Sequence, residues 1–106
     1  MSAKRKREIA RIKSEARCDR GAVMACIRFA TIVHHQPYGD AVRVCRCESG
    51  FDPFNEYAGH YGLFQFLGST FATTPYRNKN IWSPKWNSLA AMWMWKVGRR
   101  GEWACQ

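Results

Sequence analysis

Five cysteines in 106 residues, Cys18, Cys26, Cys45, Cys47 and Cys105, constrain this chain more than any other feature. A chain of this length makes one compact domain. Its cysteines are then cross-links, metal ligands, or small buried apolar residues. No CxxC pair is present, and His34, His35 and His60 do not fall at zinc spacing. The pattern therefore argues against a structural metal site, and no cofactor is expected. Disulfides formed in an oxidising compartment account for the cysteines better. The odd count leaves at least one thiol unpaired in a monomer, the state expected here.

Charge narrows the partners. The formal net charge is +9, and eight of the seventeen Lys and Arg lie within residues 1–20. Such an excess favours acidic partners: nucleic acid, anionic lipid or an anionic wall polymer. The run of residues 4–7, KRKR, is not interleaved with aromatic residues, which argues against nucleic acid. The most apolar run, residues 22–33, is interrupted by Arg28 and falls short of the roughly 20 apolar residues of a membrane span. It follows a charged lead too long for the first region of a signal peptide, so it reads as a core helix and no signal peptide is recognised.

The punctuation of the chain predicts helices around a small irregular β region, an α+β fold that is mainly α. Residues 1–20 form a basic arm or helix, and residues 21–106 the domain proper. Within the first part, residues 5–17 are helix-compatible with Ile9 and Ile12 as the strong apolar anchors. Asp19 is placed to cap a second helix over about residues 20–35, and Asp40 a third that ends at Gly50. Residues 51–62 read as turns and a small hairpin. Ser69 or Thr70 starts a short helix, and residues 73–81 form a loop. Ser83-Pro84 opens a last helix that ends near Val97-Gly98. Trp86, Trp93 and Trp103 read as core, whereas Trp82 and Trp95 are candidates for stacking on a sugar.

Within CESGFDPF, residues 47–54, Glu48 falls in the last turn of the third helix. There the helix dipole and apolar neighbours both disfavour a negative charge and raise the carboxyl pKa, as a general acid requires. The same position also suits an ordinary solvated Glu ahead of a C-capping Gly. Placement alone leaves both readings open.

Several further segments keep company with Glu48: GHYGLFQF at 59–66, STF at 69–71, WSPKWNSLAAMW at 82–93 and GEWAC at 101–105. In this order they resemble the lytic transglycosylases of the lysozyme superfamily, in particular the resuscitation-promoting-factor type and similar phage lysin domains. The resemblance covers residues 38–106 and implies a lysozyme-like fold and a peptidoglycan substrate, with the protein extracellular, at the wall or delivered there by a phage. It implies that Glu48 is the sole catalytic acid. It further implies that Gln65 lines the cleft and holds an N-acetyl or hydroxyl group, with Tyr61 and Thr70 beside it. Phe71 stands where the family has Trp. His60 takes the place of an aromatic or small residue and reads as a loop histidine, with a place in the cleft as the alternative. The resemblance also pairs Cys47 with Cys105, a cross-link worth about 4 kcal/mol by chain entropy. Of the remaining cysteines, Cys18 and Cys26 would lie about 12 Å apart on one unbroken helix, too far to bond. Cys26 with Cys45, across the turn at Pro37, is the expected second pair.

Hydrolytic glycosidases ordinarily use two carboxylates about 5–9.5 Å apart. Asp52, Glu56 and Glu102 are the acids that follow Glu48. Asp52 reads as a turn cap and Glu102 as exposed, which leaves Glu56 as the possible second carboxylate. The expected function is thus a transglycosylase in which Glu48 works alone, with a muramidase using Glu48 and Glu56 as the alternative. A wall-binding module without turnover is the alternative of another class. The basic N-terminus is expected to draw the protein to anionic wall polymers.

Overall fold

A computed structural model describes residues 1–106. The chain opens with helix α1, Ala3–Asp19, whose N-terminus is capped by Ser2 accepting from the Arg5 amide at 3.1 Å. Gly21, at φ +96°, then turns the chain back, and α2 runs over Val23–His34 against α1. The two helices are not one continuous rod. The turn brings the Cα atoms of Cys18 and Cys26 to 4.5 Å, and these two residues form a disulfide. This corrects the expected Cys26–Cys45 pair: the rod geometry that separates Cys18 from Cys26 does not apply once Gly21 adopts a left-handed conformation. Asp19 also differs from expectation. It ends α1 and pairs with Lys85 at 2.9 Å, while Ala22 precedes α2 without a side-chain cap.

The third helix, α3, spans Tyr38–Ser49 and follows Pro37, which stands at the cap position assigned to Asp40. Asp40 instead lies in the first turn, where the dipole favours an acid. It binds Arg43 at 3.2 Å and Arg100 at 3.0 Å, so it ties α3 to the C-terminal tail. Gly50, at φ +62°, ends α3. Cys45 lies on the inner face of this helix as the free cysteine, fully buried, with its Sγ 3.6 Å from the Leu63 carbonyl. Burial pushes its thiol up to about 12. It therefore behaves as a small core residue.

Three two-residue strands follow: β1 Glu56–Tyr57, β2 His60–Tyr61 and β3 Phe66–Leu67, antiparallel in sequence order. Ala58 and Gly59 both have positive φ, +52° and +77°, the backbone of a two-residue hairpin turn matched to strand twist. The register sets Tyr57 opposite His60 and His60 opposite Leu67. A second row sets Glu56 opposite Tyr61 and Tyr61 opposite Phe66. Because side chains alternate along a strand, these two rows face opposite sides of the sheet.

A one-turn helix, α4, covers Gly68–Phe71, and α5 covers Pro84–Lys96 with Ser83 capping the Trp86 amide. A short 3-10 turn, Arg100–Glu102, closes the chain. α5 is the central element: residues 87–92 together with Met94 and Trp95 are all buried. A helix apolar on most sides must sit inside the fold. α2 packs along α5, and Ile27, Val44, Phe64 and Phe66 complete the core. No helix is long and apolar enough to cross a membrane.

Asn87 fastens the irregular segment to α5. Its Nδ2 donates to the carbonyls of Tyr61 (3.2 Å) and Ile81 (2.9 Å), and its Oδ1 accepts from the Phe64 amide (2.8 Å). Gly62, at φ +80°, passes so close that a Cβ there would collide with the Asn87 amide and press on the Ile81 carbonyl at 3.0 Å. The residues around Gly62, Leu63 and Phe64 thus form a tight turn over α5.

Candidate active site around Glu48

Glu48 stands in the last turn of α3, half-buried, next to the Cys47–Cys105 disulfide that closes a separation of 58 residues. The cross-link carries the tail back over the end of α3. It thereby brings the Cys105 backbone to bear on the Glu48 carboxyl. Burial holds the proton affinity of Glu48 above the usual carboxylate range, while the Cys105 backbone and the nearby His60 act against that rise.

Two adjoining depressions meet at Glu48. One, of about 240 Å³, is lined by Phe66, Leu67, Thr70, Met94, Glu102, Trp103 and Ala104 as well as by Glu48, His60 and Gln65. The other, of about 440 Å³, is lined by Asn55, Glu56 and Tyr57 together with the same Glu48, His60 and Gln65. A cleft therefore passes the carboxyl on both sides. Glu48 is the one carboxylate that faces both halves.

Gln65 is held in the cleft by its own backbone and amide. It adopts φ +54°, and its Nε2 donates to the carbonyls of Asn55 at 3.0 Å and Gly62 at 2.8 Å. With both amide hydrogens used, Oε1 is the group left for a ligand, and it accepts hydrogen bonds. Thr70 joins the first half of the cleft from α4, and its hydroxyl has no partner within the chain.

Tyr61 and Trp82 lie elsewhere. Neither lines the cleft, and the two rings pack edge to face on each other, 5.1 Å between centroids. Both rows of the sheet contribute to the cleft lining, Tyr57, His60 and Leu67 from one and Glu56 and Phe66 from the other, and Tyr61 is withdrawn from it by its packing on Trp82. Tyr57 is 78% exposed and supplies the open aromatic face that sequence reasoning assigned to Tyr61 and Trp82. Of the two readings of His60, the structure supports the cleft residue, with Nδ1 3.2 Å from the Ala58 carbonyl. Trp95 is buried beneath the guanidinium of Arg100, 4.2 Å from its ring centre.

The other two carboxylates of the cleft are engaged. Glu56 accepts from the Gly59 amide at 3.2 Å and so braces the hairpin. Glu102 binds Arg99 through both oxygens, at 2.6 and 3.4 Å. Trp103 forms a wall, with Nε1 donating to the Phe64 carbonyl at 2.9 Å and its ring edge-on to Phe66. Asn55, Glu102 and Trp103 were not read as cleft residues from the sequence. The alternation of the hairpin marked Tyr57 and His60 as a same-face pair, but the tail residues carried no local signal. No group of His, Cys, Asp and Glu is arranged to hold a metal ion. No protein-family model, curated protein or solved structure matches this chain.

Proposed function

We propose that this protein is a lytic transglycosylase of lysozyme-like fold that cleaves peptidoglycan glycan strands. The observation that carries the reading is the position of Glu48: half-buried, raised in proton affinity, without a cationic side chain bound to it, and shared by both halves of the cleft. Such a carboxyl holds its proton nearer neutrality than an exposed one and can deliver it to a leaving oxygen.

In the proposed reaction Glu48 protonates the oxygen of the β-1,4 bond between N-acetylmuramic acid and N-acetylglucosamine. The bond breaks, and the substrate's acetamido oxygen stabilises the cationic anomeric carbon. Glu48, now a carboxylate, takes the proton of the muramoyl 6-hydroxyl as that oxygen closes on the anomeric carbon. The product is a 1,6-anhydro sugar, and Glu48 is returned protonated. Gln65 Oε1 is suited to accept from an acetamido N–H, and Tyr57 offers a ring face for a sugar. The disulfides are compatible with work outside the cytoplasm.

A hydrolytic reading is favoured by one observation, that Glu56 lines one half of the cleft with Glu48. Mass spectrometry of fragments released from purified sacculi separates the two. Anhydro-muropeptides that vanish in Glu48→Gln and persist in Glu56→Gln are the expected result. Reducing ends that vanish in both variants mean hydrolysis. Sacculi that are bound without any released fragment mean a wall-binding module.

A further inference from the structure

The cations of α1 do little for the fold. Lys4, Arg5 and Lys6 occupy the first turn of the helix with no acid among them, where the positive end of the macrodipole disfavours them. No Lys or Arg of α1 forms an ion pair, because Glu15 and Asp19 are both taken by Lys85 of α5. Charges placed against the dipole and left without internal partners are suited to an external anion.

They also border a series of depressions linked by shared lining residues. Three adjoining depressions follow the seam between α1 and α2. The first is lined by Lys13, Arg17 and Arg28, the second by Arg7 and Arg28, and the third by Lys4, Arg7 and Arg11. The first and second share Arg28 and Tyr38, and the second and third share Arg7, Ile32 and His35. Glu8 is the single acid along the whole seam.

We propose that this seam binds a linear phosphodiester chain that carries no bases, of the polyol-phosphate kind found in bacterial walls. Successive cations along a groove suit a polymer with regularly spaced negative charge. Tyr38 is the one Phe, Tyr or Trp ring lining the seam, and the Arg28 guanidinium covers it, 4.4 Å from the centroid. No aromatic platform is left on which bases could stack, which disfavours single-stranded nucleic acid. A lipid surface is disfavoured because Ile12 is the one large apolar residue that α1 exposes. Tyr38 and Glu48 lie at opposite ends of α3, about 15 Å apart along the helix axis. A polymer in the seam thus leaves the cleft free.

The test is a binding titration of the full, disulfide-bonded chain with lipid-free poly(glycerol phosphate). Binding should weaken at least about tenfold between about 50 and 200 mM salt. The triple variant Lys4→Gln, Arg7→Gln, Arg11→Gln should bind at least about tenfold more weakly, and Glu48→Gln should bind as the native chain does. The triple variant removes like charges from the α1 N-terminus, so α1 should remain folded, as its helical circular dichroism will report. Unchanged binding by the folded triple variant overturns the proposal. So does tighter binding to oligodeoxythymidylate of equal charge, or to phosphatidylglycerol vesicles. The assay contains no glycan strand, so its outcome and that of the product assay on Glu48 are independent.

Discussion

The backbone of Cys105 lowers the proton affinity of the Glu48 carboxyl, and Cys105 is covalently joined to the residue before that glutamate. One cross-link therefore both closes the fold and sets the environment of the acid. Replacing Cys47 and Cys105 by Ser should cost about 2–5 kcal/mol of stability, read by urea unfolding with Cys18–Cys26 left oxidised. It should also shift activity. The Cys105 backbone favours the charged carboxylate, so its loss from the site raises the proton affinity of Glu48 further. The alkaline limb of the pH–rate profile, where the acid loses its proton, should move to higher pH. An unmoved limb in the folded variant would show that the Cys105 backbone does not act on Glu48.

Tyr57 and Tyr61 should separate into binding and folding roles. Tyr57→Ala removes an exposed ring from the cleft, so activity on glycan should fall roughly tenfold, equivalent to about 1.4 kcal/mol of lost transition-state binding. Its unfolding midpoint should stay near that of the native chain. Tyr61→Ala removes the ring packed on Trp82 and should lower the midpoint instead. The reverse pattern would show that Tyr61, and not Tyr57, is the ring that meets the glycan.

This pair also marks how far the sequence could be read. The helices around residues 38–49 and 84–96 were legible because Gly50, Ser83 and Pro84 act locally on the backbone. Glu48 was legible as a candidate from its place before Gly50. Which neighbours face it was not, because the cleft takes Tyr57 and His60 from one row of the sheet and Glu56 and Phe66 from the other, so alternation alone does not select its lining. Tyr61 was taken for the cleft aromatic where Tyr57 and His60 stand. The second disulfide was misread for a similar reason: Gly21 was passed over as helix interior, and the distance between Cys18 and Cys26 depends on that turn. Trp103 and Ala104 reach the cleft through the Cys47–Cys105 link, a relationship between chain segments that no local pattern records.

Asn87 should be among the least replaceable residues outside the cleft. It is fully buried and satisfies the Tyr61 and Ile81 carbonyls and the Phe64 amide. Asn87→Leu strands three buried backbone groups, each costing about 1–3 kcal/mol. A loss of several kcal/mol is expected, with Gln65 and the cleft wall displaced along with the turn they belong to. Gly62→Ala should also destabilise, since it adds a Cβ against that amide at a left-handed φ. Denaturant unfolding of both variants tests this. A native-like midpoint for Asn87→Leu would mean that water or a rearranged backbone replaces the amide.

The stability of the fold should fall with acid through His34. This residue is buried on α2 and lies 2.8 Å from the Tyr76 hydroxyl through Nε2, with Nδ1 lacking a partner. Burial, and then the charges of Lys96 and His35, lower its pKa from 6.5 to about 4. The folded state thus keeps His34 neutral while the unfolded chain takes up a proton at about pH 6.5. Between those values the unfolded state binds more protons, so stability declines as pH falls. The contribution is complete above about pH 6.5 and gone once pH has dropped below about 4. Unfolding free energies measured across this range should slope downward with acid in the native chain. In His34→Gln, which retains a polar group toward Tyr76 but does not titrate, the slope should flatten. An equal slope in both proteins would assign the acid sensitivity to the carboxylates instead.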